Sequence, residues 1–247
     1  MKIALGLLIL ALLSPLHAQS VDELIRQGDA LDAKNRNGDA MLIYLKADKL
    51  RPGDSEILRR ISKQYAQQMS DSGAKADELG ALALDYAKQA VKADPDNAQA
   101  HLSLAIVYGK ISYLRPAKER MQDSRLILQE AQKAVELDPK DDLAWHILGR
   151  WNYEVANLSG PVKFLAETLY GKLPPASDEK ALECFQKAVA LNPKRLLNQV
   201  ELGRTLAALD RKDEARAVLK KALEMPSREK DDEETRDRAR KALKALD

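Results

Sequence analysis

The chain has 247 residues, 45% of them hydrophobic and 32% charged, which allows one large core or two small ones and excludes disorder and collagen. Forty Lys and Arg against 38 Asp and Glu leave a net charge of +2, too near neutrality for a whole-molecule grip on nucleic acid or anionic lipid, so no nucleic acid partner is expected. One cysteine and three histidines exclude a disulfide framework and a zinc site, so no metal and no cofactor is expected; Ala and Leu fill about 75 positions and favour an all-α fold.

Residues 1–20 read MKIALGLLILALLSPLHAQS: one positive charge at Lys2, an apolar run from Ile3 to Leu13, a breaker at Pro15 and a small residue at Ala18. The run is about half the length needed to span a bilayer. The pattern is that of a secretory signal peptide, residues 1–18, cleaved after Ala18, with an uncleaved N-terminal anchor as the alternative. The expected mature chain is extracytoplasmic, periplasmic or secreted, with no stable membrane insertion.

From residue 19 onward the chain repeats itself. The endings KADKLRP, KQAVKADP, KAVELDP and KAVALNP place Ala47, Ala90, Ala134 and Ala188 each five residues before Pro52, Pro95, Pro139 and Pro193, and a shorter fifth ends Ala222-Leu-Glu-Met-Pro226. Each proline predicts the end of an amphipathic helix, because it cannot continue the hydrogen-bond ladder and disfavours helix in the residue before it. The first helix of each unit is marked by a small residue among bulky ones: Gly28, Ser62, Ala105, Gly149 and Gly203. The first unit covers residues 19–54, and four more fill 55–227. Proline spacings of 43, 44, 54 and 33 exceed the usual period of about 34 in units two to four. The extra residues are expected between the two helices of those units, near 70–73, near 114–116 and from Glu154 to Asp178. Residues 228–247 are highly charged, with Ala239, Ala242, Leu243 and Leu246 on one side, and predict a capping helix.

The order of bulky, Leu, Gly, Tyr, Ala, Phe and Pro positions resembles the tetratricopeptide repeat, whose antiparallel helix pair hides its apolar faces by stacking on its neighbours. The expected fold is therefore a tetratricopeptide-like (TPR) α-solenoid of about five helix pairs. The stretch Trp145 to Ser159, continuing through Phe164, Tyr170-Gly171-Lys172 and Pro174-Pro175-Ala176, together with ALECFQKA at 181–188 and the ALEMP segment before the acidic residues up to Asp232, is similar to the regulator of microtubule dynamics proteins. That resemblance covers roughly Ser55 to Asp232. It implies a helical solenoid used for contacts with other proteins, which in eukaryotic members include microtubules.

First helices line the concave groove of such solenoids, so their inward residues are the candidate contacts: Arg59, Lys63, Arg150 and Arg204, with Arg26, Arg60 and Lys110 nearby. A row of this kind suits an acidic protein or peptide, held by charge-assisted hydrogen bonds. The plainer expectation is a solvated face whose cations pair with Glu56, Asp29 and Glu201. In the long insert, Val162, Phe164, Leu165, Leu169 and Tyr170 at helical spacing are candidate partner or lipid contacts. There the plainer expectation is that this face packs on the solenoid and seals the groove. His146 has no nucleophile or orienting carboxylate at a telling spacing, and Cys184 reads as a packed thiol. With no GxGxxG, P-loop, HExxH or paired CxxC, the chain reads as a non-catalytic binding or scaffold protein. The alternative is a carrier that encloses a lipid or another apolar ligand between groove and insert.

Overall fold

The computed structural model describes residues 20–71 and 73–246, so the leader expected at 1–18 lies outside the described residues. Five antiparallel hairpins follow one another: α1 (Val21–Asp32) with α2 (Asn37–Leu50), α3 (Ser55–Asp71) with α4 (Ala76–Ala93), α5 (Ala98–Ser112) with α6 (Ala117–Leu137), α7 (Asp142–Ala156) with α9 (Asp178–Leu191), and α10 (Leu196–Ala208) with α11 (Lys212–Leu223). A further helix, α8 (Gly160–Tyr170), lies within the fourth pair, and α12 (Asp232–Lys244) packs on both α10 and α11. No strand occurs among the described residues. This is a TPR-like α-solenoid.

The prolines set the helix ends. α2, α4, α6 and α9 stop at Leu50, Ala93, Leu137 and Leu191, each two residues before its proline. The intervening Arg51, Asp94, Asp138 and Asn192 share one backbone conformation, φ −139°, −144°, −135° and −136° with ψ between 75° and 94°. A residue before proline is pushed out of the helical region, and repetition of one sequence signal repeats one turn. Two residues past three of these prolines stands the acceptor that starts the next helix. Asp54 takes the backbone N–H of Glu56 at 2.9 Å, Asn97 that of Gln99 at 3.0 Å, and Asp141 that of Leu143 at 2.7 Å.

Within each hairpin the small residue of the first helix lets the second approach. A Cβ on Gly203 would stand 2.6 Å from Leu219 Cγ, and one on Gly149 would stand 3.0 Å from Cys184 Cβ. In unit two the corresponding Ser62 fits by donating its hydroxyl to the Ala83 carbonyl of α4 at 2.7 Å. Tyr44, Phe185 and Leu219, all fully buried, fill the second-helix side of these seams.

The extra residues of units two and three are not loops. They lengthen the helices: α3 and α4 run 17 and 18 residues and α6 runs 21, against 12 and 14 for α1 and α2. The added turns bury Met69, Tyr108 and Ile111 in one cluster with Ala66, Leu84 and Val107, so apolar contact recovers the cost of ordering them. In unit four the insert forms α8 and an extended tail, and here the packing expectation is corrected. Val162, Phe164, Leu165 and Leu169 are 54, 73, 58 and 59% exposed. The insert is anchored instead at its far end, where Tyr170 and Leu173 join Met121, Trp151 and Val155. The Arg125 guanidinium also donates to the carbonyls of Tyr170, Gly171 and Lys172 at 3.0, 2.8 and 3.2 Å.

Candidate functional site

α3 touches α5, α5 touches α7, and α7 touches α10, whereas the second helices of successive pairs make no comparable contact. First helices are therefore crowded on the inside of the curve, and their exposed edges form one inner face. Side chains tie each first helix to the next. Arg60 grips Asp29 with two bonds of 2.7 and 3.0 Å from α3 to α1. Asn97 at the start of α5 reaches Glu56 on α3 at 2.9 Å, and Gln99 donates to Asp141 at the start of α7. Arg195, just before α10, meets Asp142 of α7 at 2.5 Å.

At the N-terminal end of this face Arg59, Arg60 and Lys63 are each matched by a carboxylate. Arg59 binds Glu56 at 2.5 and 2.9 Å, Arg60 also reaches Glu56 at 2.5 Å, and Lys63 lies 2.5 Å from Asp32. Burial alone would raise the Glu56 carboxyl, but the bonds from Arg59, Asn97 and Arg60 outweigh it and hold it at about 2. Asp29 is likewise held below the ordinary carboxylate range, against its burial, by Arg60 and Tyr44, whose hydroxyl donates to it at 2.7 Å. Lys110 donates to the Ala66 carbonyl at 3.4 Å, and Arg26 is exposed on α1. Charge is balanced here, and the bonds link three units.

The C-terminal end is different. Arg204 donates to Glu201 at 2.6 Å and lies over the ring of Tyr153, 5.0 Å from its centre. Glu201, only 1% exposed, also accepts from Arg238 of α12 at 2.8 Å. Two guanidiniums thus share one buried carboxylate. Beside them opens a cavity of about 520 Å³ between α7, α10 and α12. Sequence reasoning named Arg204 but missed Tyr153, Arg238 and Lys241 as its neighbours, because each lies more than thirty positions from it along the chain. Arg150 does not line the cavity; its nearest polar neighbours are the Tyr113 hydroxyl at 3.4 Å and Glu154 at 3.9 Å. Of the four expected groove residues, Arg59, Lys63 and Arg204 are each closely paired with a carboxylate, and Arg150 lies 3.9 Å from Glu154.

His146 is buried within α7, packs edge-on against Phe185 with ring centres 5.5 Å apart, and faces the Asn198 side-chain oxygen at 3.0 Å. Burial drives its imidazole down to about 3, so it is neutral at ordinary pH and holds Asn198 in place. Cys184 is buried and burial pushes its thiol up to about 11. Among the described residues no three His, Cys, Asp or Glu side chains gather as metal ligands, and no helix is long and apolar enough to cross a membrane.

The sequence model of regulator of microtubule dynamics proteins 1–3 matches residues 19–247. The chain belongs to that family. The match is wider than the resemblance read at Ser55 to Asp232, and takes in the first hairpin and α12. Bovine regulator of microtubule dynamics protein 1 is 28% identical over 231 residues, which span 92% of this chain and 72% of the relative. Among solved structures, a thermophilic TPR protein of Thermus thermophilus superposes with a TM-score of 0.64 at 22% identity, covering 91% of this chain and 99% of that one. YrrB, described as a TPR protein with an unusual peptide-binding site, superposes at 0.51 and 20% identity, covering 92% and 94%. These likenesses confirm the fold. The family match also corrects the expected location: its animal members are named for the regulation of microtubules, filaments of the cell interior, which overturns the reading of an extracytoplasmic protein.

Proposed function

We propose that this member of the regulator of microtubule dynamics family is a non-catalytic scaffold that holds an acidic protein segment along its inner face. One observation carries the reading: four first helices stand side by side and present a single continuous surface that the second helices leave open. Surfaces of this shape recognise extended or helical segments through side chains one turn apart. The family's name supplies the class of partner to try first, and the TPR neighbour described as having a peptide-binding site is in keeping with this reading. At the C-terminal end four cations, Arg204, Lys212, Arg238 and Lys241, line one cavity, which favours an acidic partner.

Sedimentation with microtubules assembled from purified tubulin, at low and at raised salt, tests this. Binding should weaken as salt rises, and Arg59→Glu with Arg150→Glu should reduce both the affinity and its salt dependence. Protein that stays in the supernatant at every salt concentration overturns the microtubule assignment. Binding untouched by the double substitution moves the contact away from Arg59 and Arg150.

A further inference from the structure

We propose that the cavity between α7, α10 and α12 is a binding pocket for an acidic peptide whose carboxylate and small apolar side chains alternate, and that α12 is part of this site as well as a cover for the last hairpin. The proposal rests on the reading of the inner face as a binding surface and names where on it the ligand is held.

Four cations line the cavity, Arg204 from α10, Lys212 from the start of α11, and Arg238 and Lys241 from α12. Against them stands Glu201 beneath Arg204 and Arg238, with Glu154 acting on Arg204 from α7 and Asp210 lying 3.8 Å from Lys212. Lys241 has no carboxylate partner among the described residues, and Arg238 Nε is buried without an acceptor. The contrast with the other end of the face is direct, since there Arg59, Arg60 and Lys63 meet Glu56, Asp29 and Asp32 at 2.5 to 3.0 Å. Four cations thus stand against three carboxylates around the cavity, and one positive charge is left over there.

The guanidiniums are also held in position before any ligand arrives. Glu201 fixes both, and the Tyr153 ring supports Arg204 from below. A ligand carboxylate meets donors whose rotamers are already restricted, which lowers the entropy lost on binding. The floor between the cations is apolar and small-featured: Ala207 and Ala208 on one side, Ala242, Ala245 and Leu246 on the other. A bare inorganic anion would leave that floor wet, and a flat bilayer cannot enter a concavity between three helices. A volume of about 520 Å³ is within the range of pockets that enclose a short segment of a ligand.

The test is fluorescence anisotropy of a dye-labelled peptide alternating Glu and Ala, titrated with the full chain. Lys212→Glu with Lys241→Glu changes two exposed side chains, so the fold is retained, and the affinity should fall by at least about tenfold with a shallower salt dependence. Ala208→Tyr, placed at an exposed position on the rim, should block the pocket without altering its charge. Inorganic phosphate should compete only weakly, and anionic vesicles should not compete at all. If the peptide binds the wild type and both variants equally but is lost with Arg59→Glu and Lys63→Glu, the inner face still binds and the pocket assignment falls. If the wild type takes up no peptide, or vesicles displace it, the acidic-peptide pocket is overturned, while the sedimentation experiment judges the scaffold reading separately.

Discussion

Gly203 and Leu219 meet at the closest approach of the last hairpin, where an added methyl would stand 2.6 Å from Leu219 Cγ and 2.7 Å from Cδ2. Leu219 is fully buried in the close-packed core of the last hairpin. Gly203→Ala is therefore expected to destabilise by about 1–3 kcal/mol through overpacking, despite alanine's better helix propensity, and a lower denaturation midpoint would show it. His146 gives the molecule a dependence on acid. Its imidazole titrates near 3 in the fold, because burial and then Arg150 oppose the charge, against 6.5 unperturbed. The stability that comes from keeping it neutral is complete above pH 6.5 and drains as pH falls toward 3. Glu56, held at about 2 against 4.5, adds a second loss that begins only below about pH 4.5. Urea midpoints followed from pH 7 to pH 4 should thus decline in wild type, and His146→Gln should flatten the part above about pH 4.5. An unchanged slope in that variant would mean the imidazole is not what senses the acid.

Among the elements, α8 is held by a narrow strip, with Ala166 and Tyr170 against the cluster around Met121 and Trp151. Its middle offers Phe164 and Leu165 to solvent, whereas Tyr170, Leu173 and three carbonyls are gripped by α6 and α7. Arg125→Ala should leave the global unfolding midpoint within about 1 kcal/mol while hydrogen exchange across 160–172 accelerates, since a segment with few buried contacts opens independently. Equal protection in the variant would show that apolar anchoring suffices. The same helix marks where the sequence is silent. Apolar spacing from Val162 to Leu169 announces a helix, but the spacing is the same whether a neighbour or solvent faces it, and the neighbours come from residues forty positions upstream. The repeat endings were legible for the opposite reason. Pro52, Pro95, Pro139 and Pro193 act on their own preceding residues, so their effect needs no partner. The lengthened α3, α4 and α6 fall between these cases: the spacing of prolines reveals how many residues are added, and only packing around Met69 and Ile111 decides that they continue the helices.

At the scale of the whole molecule, stacked hairpins bury each other pairwise and stability is spread along the row. The inner face carries two distinct electrostatic regimes on one surface. Near its start, ion pairs join α1 to α3, and a hydrogen bond from Asn97 to Glu56 joins α3 to α5. Near its end, α7, α10 and α12 leave cations facing a cavity. The pairing with Glu56, Asp29 and Glu201 was legible in the sequence, whereas the cavity was not, because helical register gives the direction of a side chain and not which distant helix meets it. Lys63 and Arg204 each follow the small residue of their first helix, Ser62 and Gly203, and differ in what surrounds them.

Cys184 is the one cysteine of the chain and lies on the seam between α7 and α9, against the backbone of Gly149. With its thiol pushed up to about 11, almost none is present as thiolate at neutral pH while the seam is shut. A thiol-reactive dye therefore reads the breathing of the fourth hairpin in the natural protein, with no substitution needed. That hairpin contributes Tyr153 to the cavity, so ligand occupying it should slow the labelling and turn a silent core residue into a clock for binding.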